Sequence, residues 1–266
     1  MTFFPRARNV LIVLLGSCLL SQAAKADYTY NMTAGVTAIS RGIHSLHMTI
    51  FWICVVVGVI VFSVMFYAIL YHRKSRGVEV AHFHESTLVE IIWTLIPFAI
   101  LIGMAIPATR MLIKMNDTKT DSEITIKITG YQWYWNYEYL GEGVQVTSRL
   151  STSQDQIRNR DVKSPYYLLE VDKHLVVPIG KKIRFLTTAN DVIHSWWVPA
   201  LGIKKDAIPG FINEAWTRIE TPGLYRGQCA ELCGVNHGYM PIVVEATTKE
   251  SYENWLSEQK SGIKTP

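Results

Sequence analysis

Apolar residues fall in three dense stretches before the midpoint of the chain, and in short alternating runs after it. The first stretch, residues 10–20, is too short to span hydrocarbon and follows Arg6 and Arg8. Ala24-Lys25-Ala26 then gives a small-x-small cleavage pattern, so residues 1–26 read as a cleaved signal peptide. A rival reading attaches lipid at Cys18, in Leu15-Gly16-Ser17-Cys18, but the apolar run continues past it through Leu19 and Leu20. Residues 50–71 and 88–109 form the longer stretches, broken by a single charge at Glu90. At about 1.5 Å per residue each reaches roughly 30 Å, enough to cross a bilayer as a helix. Pro97 and Gly103 are tolerated there where neighbours satisfy the freed backbone.

Arg73, Lys74 and Arg76 lie in the loop 72–87. Short basic loops stay cytoplasmic, so the segment 27–49 and residues 110–266 are expected outside. That exported domain has a β pattern. Residues 123–129 alternate with period two, and β-rich runs recur at 167–171, 182–188, 215–219 and 242–246, as in a sandwich or barrel. Thr247-x-x-Glu250 predicts a capping box before a short helix to about Gln259. In the aromatic run 131–139, alternation places Trp133, Trp135, Tyr137 and Tyr139 on one strand face and Tyr134 on the other.

Composition narrows the class. With 49% apolar and 18% charged residues the chain is not disordered, and four Cys are too few for a disulfide scaffold. A net charge of +4 suggests an anionic partner until it is mapped. Removing residues 1–26 leaves 23 cations against 22 acids, and residues 117–266 hold 17 cations against 18 acids. The excess therefore belongs to the signal and the cytoplasmic loop, and nucleic acid is not an expected partner.

Chemistry concentrates in Gln228-Cys229-Ala230-Glu231-Leu232-Cys233-Gly234-Val235-Asn236-His237-Gly238-Tyr239-Met240. Thiolates, imidazole and thioether together select copper. A single blue-copper ion needs only one Cys, so two thiolates suggest bridging between two metals. A second imidazole must come from elsewhere, and His194 in Asp191-Val192-Ile193-His194-Ser195-Trp196 is the candidate. Two other readings stay open: a disulfide between Cys229 and Cys233 in an oxidising compartment, and a Cys2His2 zinc site with His194 and His237. Neither uses Met240. Glu231 alone reads as a solvated carboxylate. Glu90, an acid at the end of a membrane helix, is a functional candidate, although Thr87-x-x-Glu90 also reads as a capping box.

The hairpin, the Gln132-Trp133-Tyr134-Trp135 run, Asp-x2-His-Ser-Trp and Cys-x-Glu-x-Cys-x3-His-x2-Met together resemble subunit II of a haem–copper cytochrome c oxidase. The resemblance covers nearly the whole mature chain. It implies a membrane-anchored protein: a two-helix transmembrane hairpin bearing an all-β cupredoxin-like Greek-key domain, periplasmic, in a bacterial inner membrane. It implies a binuclear copper centre, CuA, with Cys229 and Cys233 bridging, His194 and His237 as ring ligands, and Met240 and the Glu231 carbonyl as weak ligands. The Glu231 carboxylate would meet Mg2+ or Mn2+ at the boundary with subunit I.

Trp133 would receive electrons from cytochrome c, and Glu90 would mark a proton-path entrance. Asp172 and Asp191 match docking acids, and Glu138 and Glu142 lie near the Trp run. The partners implied are subunit I, where haem and copper reduce O2 with proton translocation, subunit III, cytochrome c and membrane lipid. A quinol oxidase subunit II shares the architecture but normally lacks the copper ligands, and nitrous-oxide reductase needs a propeller that 266 residues cannot hold. A structural or metallochaperone membrane protein would not need Trp133, Glu90 and Glu231 at these positions.

Overall fold

The structure, a computed structural model, describes residues 31–77 and 85–262. The signal peptide and the lipidation alternative at Cys18 lie outside the described residues.

Among the described residues two long helices come first, α1 (Ala38–Tyr71) and α2 (Thr87–Asn116). Their most apolar windows have mean hydropathy 2.9 and 2.2 and face outwards all round. Helices that are apolar on every side without being buried by protein suit a lipid surroundings. Both helices outrun the apolar stretches 50–71 and 88–109. α1 starts early because Thr37 caps it in a reciprocal box with Ser40. α2 continues through Pro107 to Asn116. A Cβ on Gly42 would lie 2.0 Å from Met111 Cε, so the helices meet closely there.

The capping box expected at Thr87 and Glu90 does not form. Ser86 precedes the helix, Thr87 is already helical, and the Glu90 N–H donates to the Ser86 carbonyl at 3.0 Å. The Glu90 carboxylate is thus not used as a cap.

Ten strands follow: β1 (Ile124–Tyr131), β2 (Tyr134–Tyr139), β3 (Val144–Ser148), β4 (Leu175–Pro178), β5 (Ile183–Ala189), β6 (His194–Val198), β7 (Ile203–Ala207), β8 (Asn213–Thr217), β9 (Gly223–Cys229) and β10 (Ile242–Thr247). They form two five-stranded sheets, ordered β3-β2-β1-β5-β8 and β4-β10-β9-β6-β7. The β1–β5 and β4–β10 pairs are parallel and the others antiparallel, which gives the crossed connections of a cupredoxin-like Greek-key sandwich. A one-turn helix α3 (Gln154–Ile157) interrupts the polar loop after β3, and α4 (Lys249–Gly262) ends the described chain.

The inward positions of the strands fill the space between the sheets. Ile126, Ile128, Trp135, Tyr137, Phe185, Trp196 and Val244 are fully buried. Aromatic side chains of this size dominate a core's burial. Tyr137 and Tyr139 accordingly have phenol pKa values raised by burial.

Three local expectations change. Residues 167–171 form no strand. Tight turns carry the segment, with Leu168 at φ +60°, and only Val171 bridges, to Leu150. The cap of α4 is shifted by one residue, since the Thr248 hydroxyl accepts from Ser251 N–H at 3.2 Å. Trp133 lies outside the strands, in the turn between β1 and β2, so alternation holds only for Trp135, Tyr137 and Tyr139.

Candidate metal centre

β6 begins with His194 and β9 ends with Cys229, and the two strands pair antiparallel with Trp196 opposite Cys229. The chain after β9 turns back on itself, held by Ala230 N–H donating to Ser195 O at 3.0 Å. A short 3-10 turn, His237–Tyr239, brings the last donors round to the same end.

The Cys229 and Cys233 sulfurs lie 3.8 Å apart, far beyond the roughly 2.05 Å of a disulfide, and both thiols are free. Each thiol has its own imidazole. His194 Nδ1 lies 3.9 Å from Cys229 Sγ, and His237 Nδ1 lies 3.5 Å from Cys233 Sγ. Met240 Sδ is 3.6 Å from Cys233 Sγ, and the Glu231 carbonyl oxygen is 3.3 Å from Cys229 Sγ. His194, Cys229 and Cys233 offer donor atoms within 4.8 Å of one another. A single tetrahedral zinc would gather both rings around one point and leave no use for a thioether. Two sulfurs flanked by different rings, with a buried Met beside one of them, suit a soft metal pair better.

Burial opposes charge on both thiols. The hydrogen bond to His194 nonetheless holds Cys229 below the usual thiol range, at about 7. Burial and the neighbouring Cys229 push Cys233 up to about 12. Two close sulfurs split in this way because the second thiol resists ionising beside the first.

A surrounding layer fixes these donors. Asp191 Oδ1 lies 2.8 Å from His194 Nε2, and its carboxylate also accepts from the backbone N–H groups of Gln132 and Val192 at 2.7 Å each. Burial works against this carboxylate, yet the His194 bond keeps its pKa lowered; burial likewise works against the His194 cation, whose pKa is raised by Cys229 and Asp191. Gln132 Nε2 and Trp133 Nε1 both donate to the Cys233 carbonyl, at 2.9 and 3.1 Å. Trp135 Nε1 donates to the Met240 carbonyl at 3.1 Å, and its ring meets the edge of His194 with centroids 5.9 Å apart. A Cβ on Gly130 would fall 2.8 Å from the His194 ring.

The fold therefore brings together His194, Cys229, Glu231, Cys233, His237, Met240, Trp133 and Asp191. Asp191 was expected as a docking acid; its carboxylate is engaged on His194. Asp172 lies apart, accepting from Arg149 N–H at 2.7 Å in a groove with His174 and Glu245. Glu90 is remote, exposed in the first turn of α2. Gly130, Gln132 and Trp135 escaped the sequence reading as site residues. Only Gly130 carried a signal, since a glycine inside a strand marks a close approach.

Fold and site together define a membrane-anchored cupredoxin-like protein with a cluster of thiols and imidazoles able to bind metal. Family models agree: "Cytochrome C oxidase subunit II, transmembrane domain" matches residues 25–111, and the corresponding periplasmic domain matches residues 124–247. The probable cytochrome c oxidase subunit 2 of Rickettsia felis is 37% identical over 249 residues, covering 93% of this chain and 76% of the relative. That of Rickettsia bellii is 36% identical over 256 residues, covering 95% and 93%. The crystal structure of the periplasmic domain of subunit II of the Bradyrhizobium japonicum cytochrome oxidase is 40% identical, covers 53% of this chain and 96% of that one, and gives a TM-score of 0.47. The chain belongs to the cytochrome c oxidase subunit II family, and so to a haem–copper oxidoreductase complex.

Proposed function

We propose that this chain is the electron-accepting subunit of a bacterial cytochrome c oxidase, taking electrons from cytochrome c and passing them to haem in subunit I. There O2 is reduced to water with proton translocation. The observation that carries the reading is the 3.8 Å pair of free thiols, each with its own imidazole.

Cys229, Cys233, His194 and His237 would hold a pair of coppers, with Met240 and the Glu231 carbonyl as weaker donors. Such a pair supplies one-electron storage shared between two ions. The chain's own part is to keep the donors still. Asp191 directs the His194 Nδ1 towards the sulfurs, as outer partners of metal-bound imidazoles do. Trp135 anchors the loop at Met240, and Trp133 lies in direct hydrogen-bond contact with the backbone of Cys233. Trp133 is therefore the natural point of electron arrival. Donors this numerous and all from protein would leave little room for a substrate on the metals, which suits transfer rather than turnover.

The Glu231 carboxylate is free to serve a Mg2+ or Mn2+ ion shared with subunit I. Glu90, unspent as a cap, fits a proton-path entrance at the cytoplasmic end of α2. Asp172 is the remaining docking acid for a basic cytochrome. The basic loop 72–87 supports a domain on the periplasmic side of the inner membrane, with residues 1–26 removed, residues 110–266 outside, and subunits I and III beside the hairpin.

The test is copper loading of the full-length chain in detergent, followed by metal analysis and electron spin resonance. Two coppers per chain sharing one unpaired electron are expected. Zinc alone, or one copper with a localised electron, would overturn the reading.

A further inference from the structure

Thr37 and Ser40, at the start of α1, are buried polar residues far in sequence from the metal loop. An ordinary helix cap satisfies its own first turn and faces water. This one does more. The Thr37 hydroxyl donates to the Leu201 carbonyl at 3.0 Å, and the Val36 N–H donates to the Ala200 carbonyl at 3.0 Å. Thr37 also bridges to Ile219. Gly202, at φ +69°, lies so near the helix that a Cβ there would come within 2.9 Å of Ser40 Cα. Only glycine fits both that conformation and that approach.

The segment held in this way, Pro199–Leu201, is the direct continuation of β6. The other end of β6 is His194, about 13 Å along the strand at roughly 3.3 Å per residue. β9, which ends in Cys229, is locked to β6 by Gly227, where a Cβ would lie 2.0 Å from the Trp197 carbonyl oxygen. A short, straight connection therefore runs from the first turn of a membrane helix to both halves of the metal centre.

We infer that Thr37, Ser40 and Gly202 are positioning residues that set the distance between the metal centre and the haem-bearing membrane partner. This rests on the proposed electron-accepting role. Helix α1 is held by its membrane surroundings, and the seat transmits that fixed position through β6. Electron transfer slows as the separation of donor and acceptor grows, so a displaced seat would slow the step from copper to haem.

The experiment uses the assembled oxidase carrying Gly202→Ala, Thr37→Val or Thr37→Ser. Four quantities are read: copper per chain, the spin-resonance signal, the second-order rate of reduction by a soluble c-type cytochrome, and the first-order rate from copper to haem. Gly202→Ala and Thr37→Val are expected to keep the first three at wild-type values and to slow the fourth severalfold. Thr37→Ser, which keeps the hydroxyl, is expected to behave as wild type. If Gly202→Ala does not assemble, the Thr37 pair decides. An unchanged first-order rate in Thr37→Val overturns the inference, as does equal slowing by Thr37→Ser. Loss of copper together with the slow step also overturns it, by making the seat merely structural. A wild-type complex without the two-copper signal would instead sink the function proposed above.

Discussion

Asp191 Oδ1 sits 2.8 Å from Nε2 of His194, so the ring's other nitrogen, Nδ1, is the one that faces Cys229. The tautomer of a metal-binding imidazole is set by the partner of its second nitrogen. Removing that partner by Asp191→Ala is expected to weaken copper binding by roughly 10- to 100-fold, measured by competition with a chelator. A variant that binds copper as wild type but reacts more slowly with cytochrome c, in a salt-dependent way, would return Asp191 to a docking role.

Trp133 offers two separable features, an indole N–H on the Cys233 carbonyl and an aromatic face. Trp133→Phe keeps the ring and loses the bond, and Trp133→Ala loses both. Both variants are expected to retain copper, with electron acceptance slowed by Trp133→Ala and slowed less by Trp133→Phe. Stopped-flow reduction by cytochrome c in the assembled oxidase gives the comparison. Equal rates in all three proteins would remove Trp133 from the path.

Gly130 lies beneath the His194 ring, and a methyl group there has nowhere to go without moving it. Gly130→Ala is expected to lower stability by about 1–3 kcal/mol, the usual cost of overpacking, and to displace His194. Urea unfolding measures the first effect and the copper spin-resonance spectrum the second. An unaltered spectrum would mean that the strand, not the ring, gives way.

Glu214 binds Arg184 at 2.6 Å and accepts from the Thr118 hydroxyl at 2.6 Å, just beyond the end of α2. Arg184 is the main reason its carboxyl pKa is lowered below the ordinary 4.5, with Thr118 next. A lowered folded-state value means stabilisation that is complete above the unfolded value and lost as pH falls through the folded one. Acidification below about pH 4.5 should therefore destabilise the wild type more than Glu214→Gln. Thermal melts at about pH 7 and about pH 4 would show it, and parallel losses in the two proteins would exclude the pair as a source of acid sensitivity.

How legible these relationships were depended on the distance over which they act. The membrane helices and β1 could be read because period and length are local properties. β7, with the sequence Ile203-Lys204-Lys205-Asp206-Ala207, could not, because it is a strand only by pairing with β6. Residues 167–171 misled in the opposite sense: β-forming side chains sit there on a backbone that turns. The metal ligands stood out as a dense motif, yet their spacing left disulfide and zinc open. The 3.8 Å sulfur separation and the separate rings speak against both of those readings. Trp133 looked like one more residue of an alternating strand. It reaches Cys233 because the strand stops before it.

The sulfur loop is local, but the groups that finish the site are not. Cys229, Cys233, His237 and Met240 are near neighbours in the chain, whereas His194 arrives from β6 and the Trp135 and Gly130 contacts come from the opposite sheet. An unfolded chain thus displays a smaller and different trap, two thiols with one ring and one thioether within a single short segment. Metal caught at that stage would be held by the wrong set of donors. The complete set of donors, His194 included, exists only once the two sheets have closed on each other.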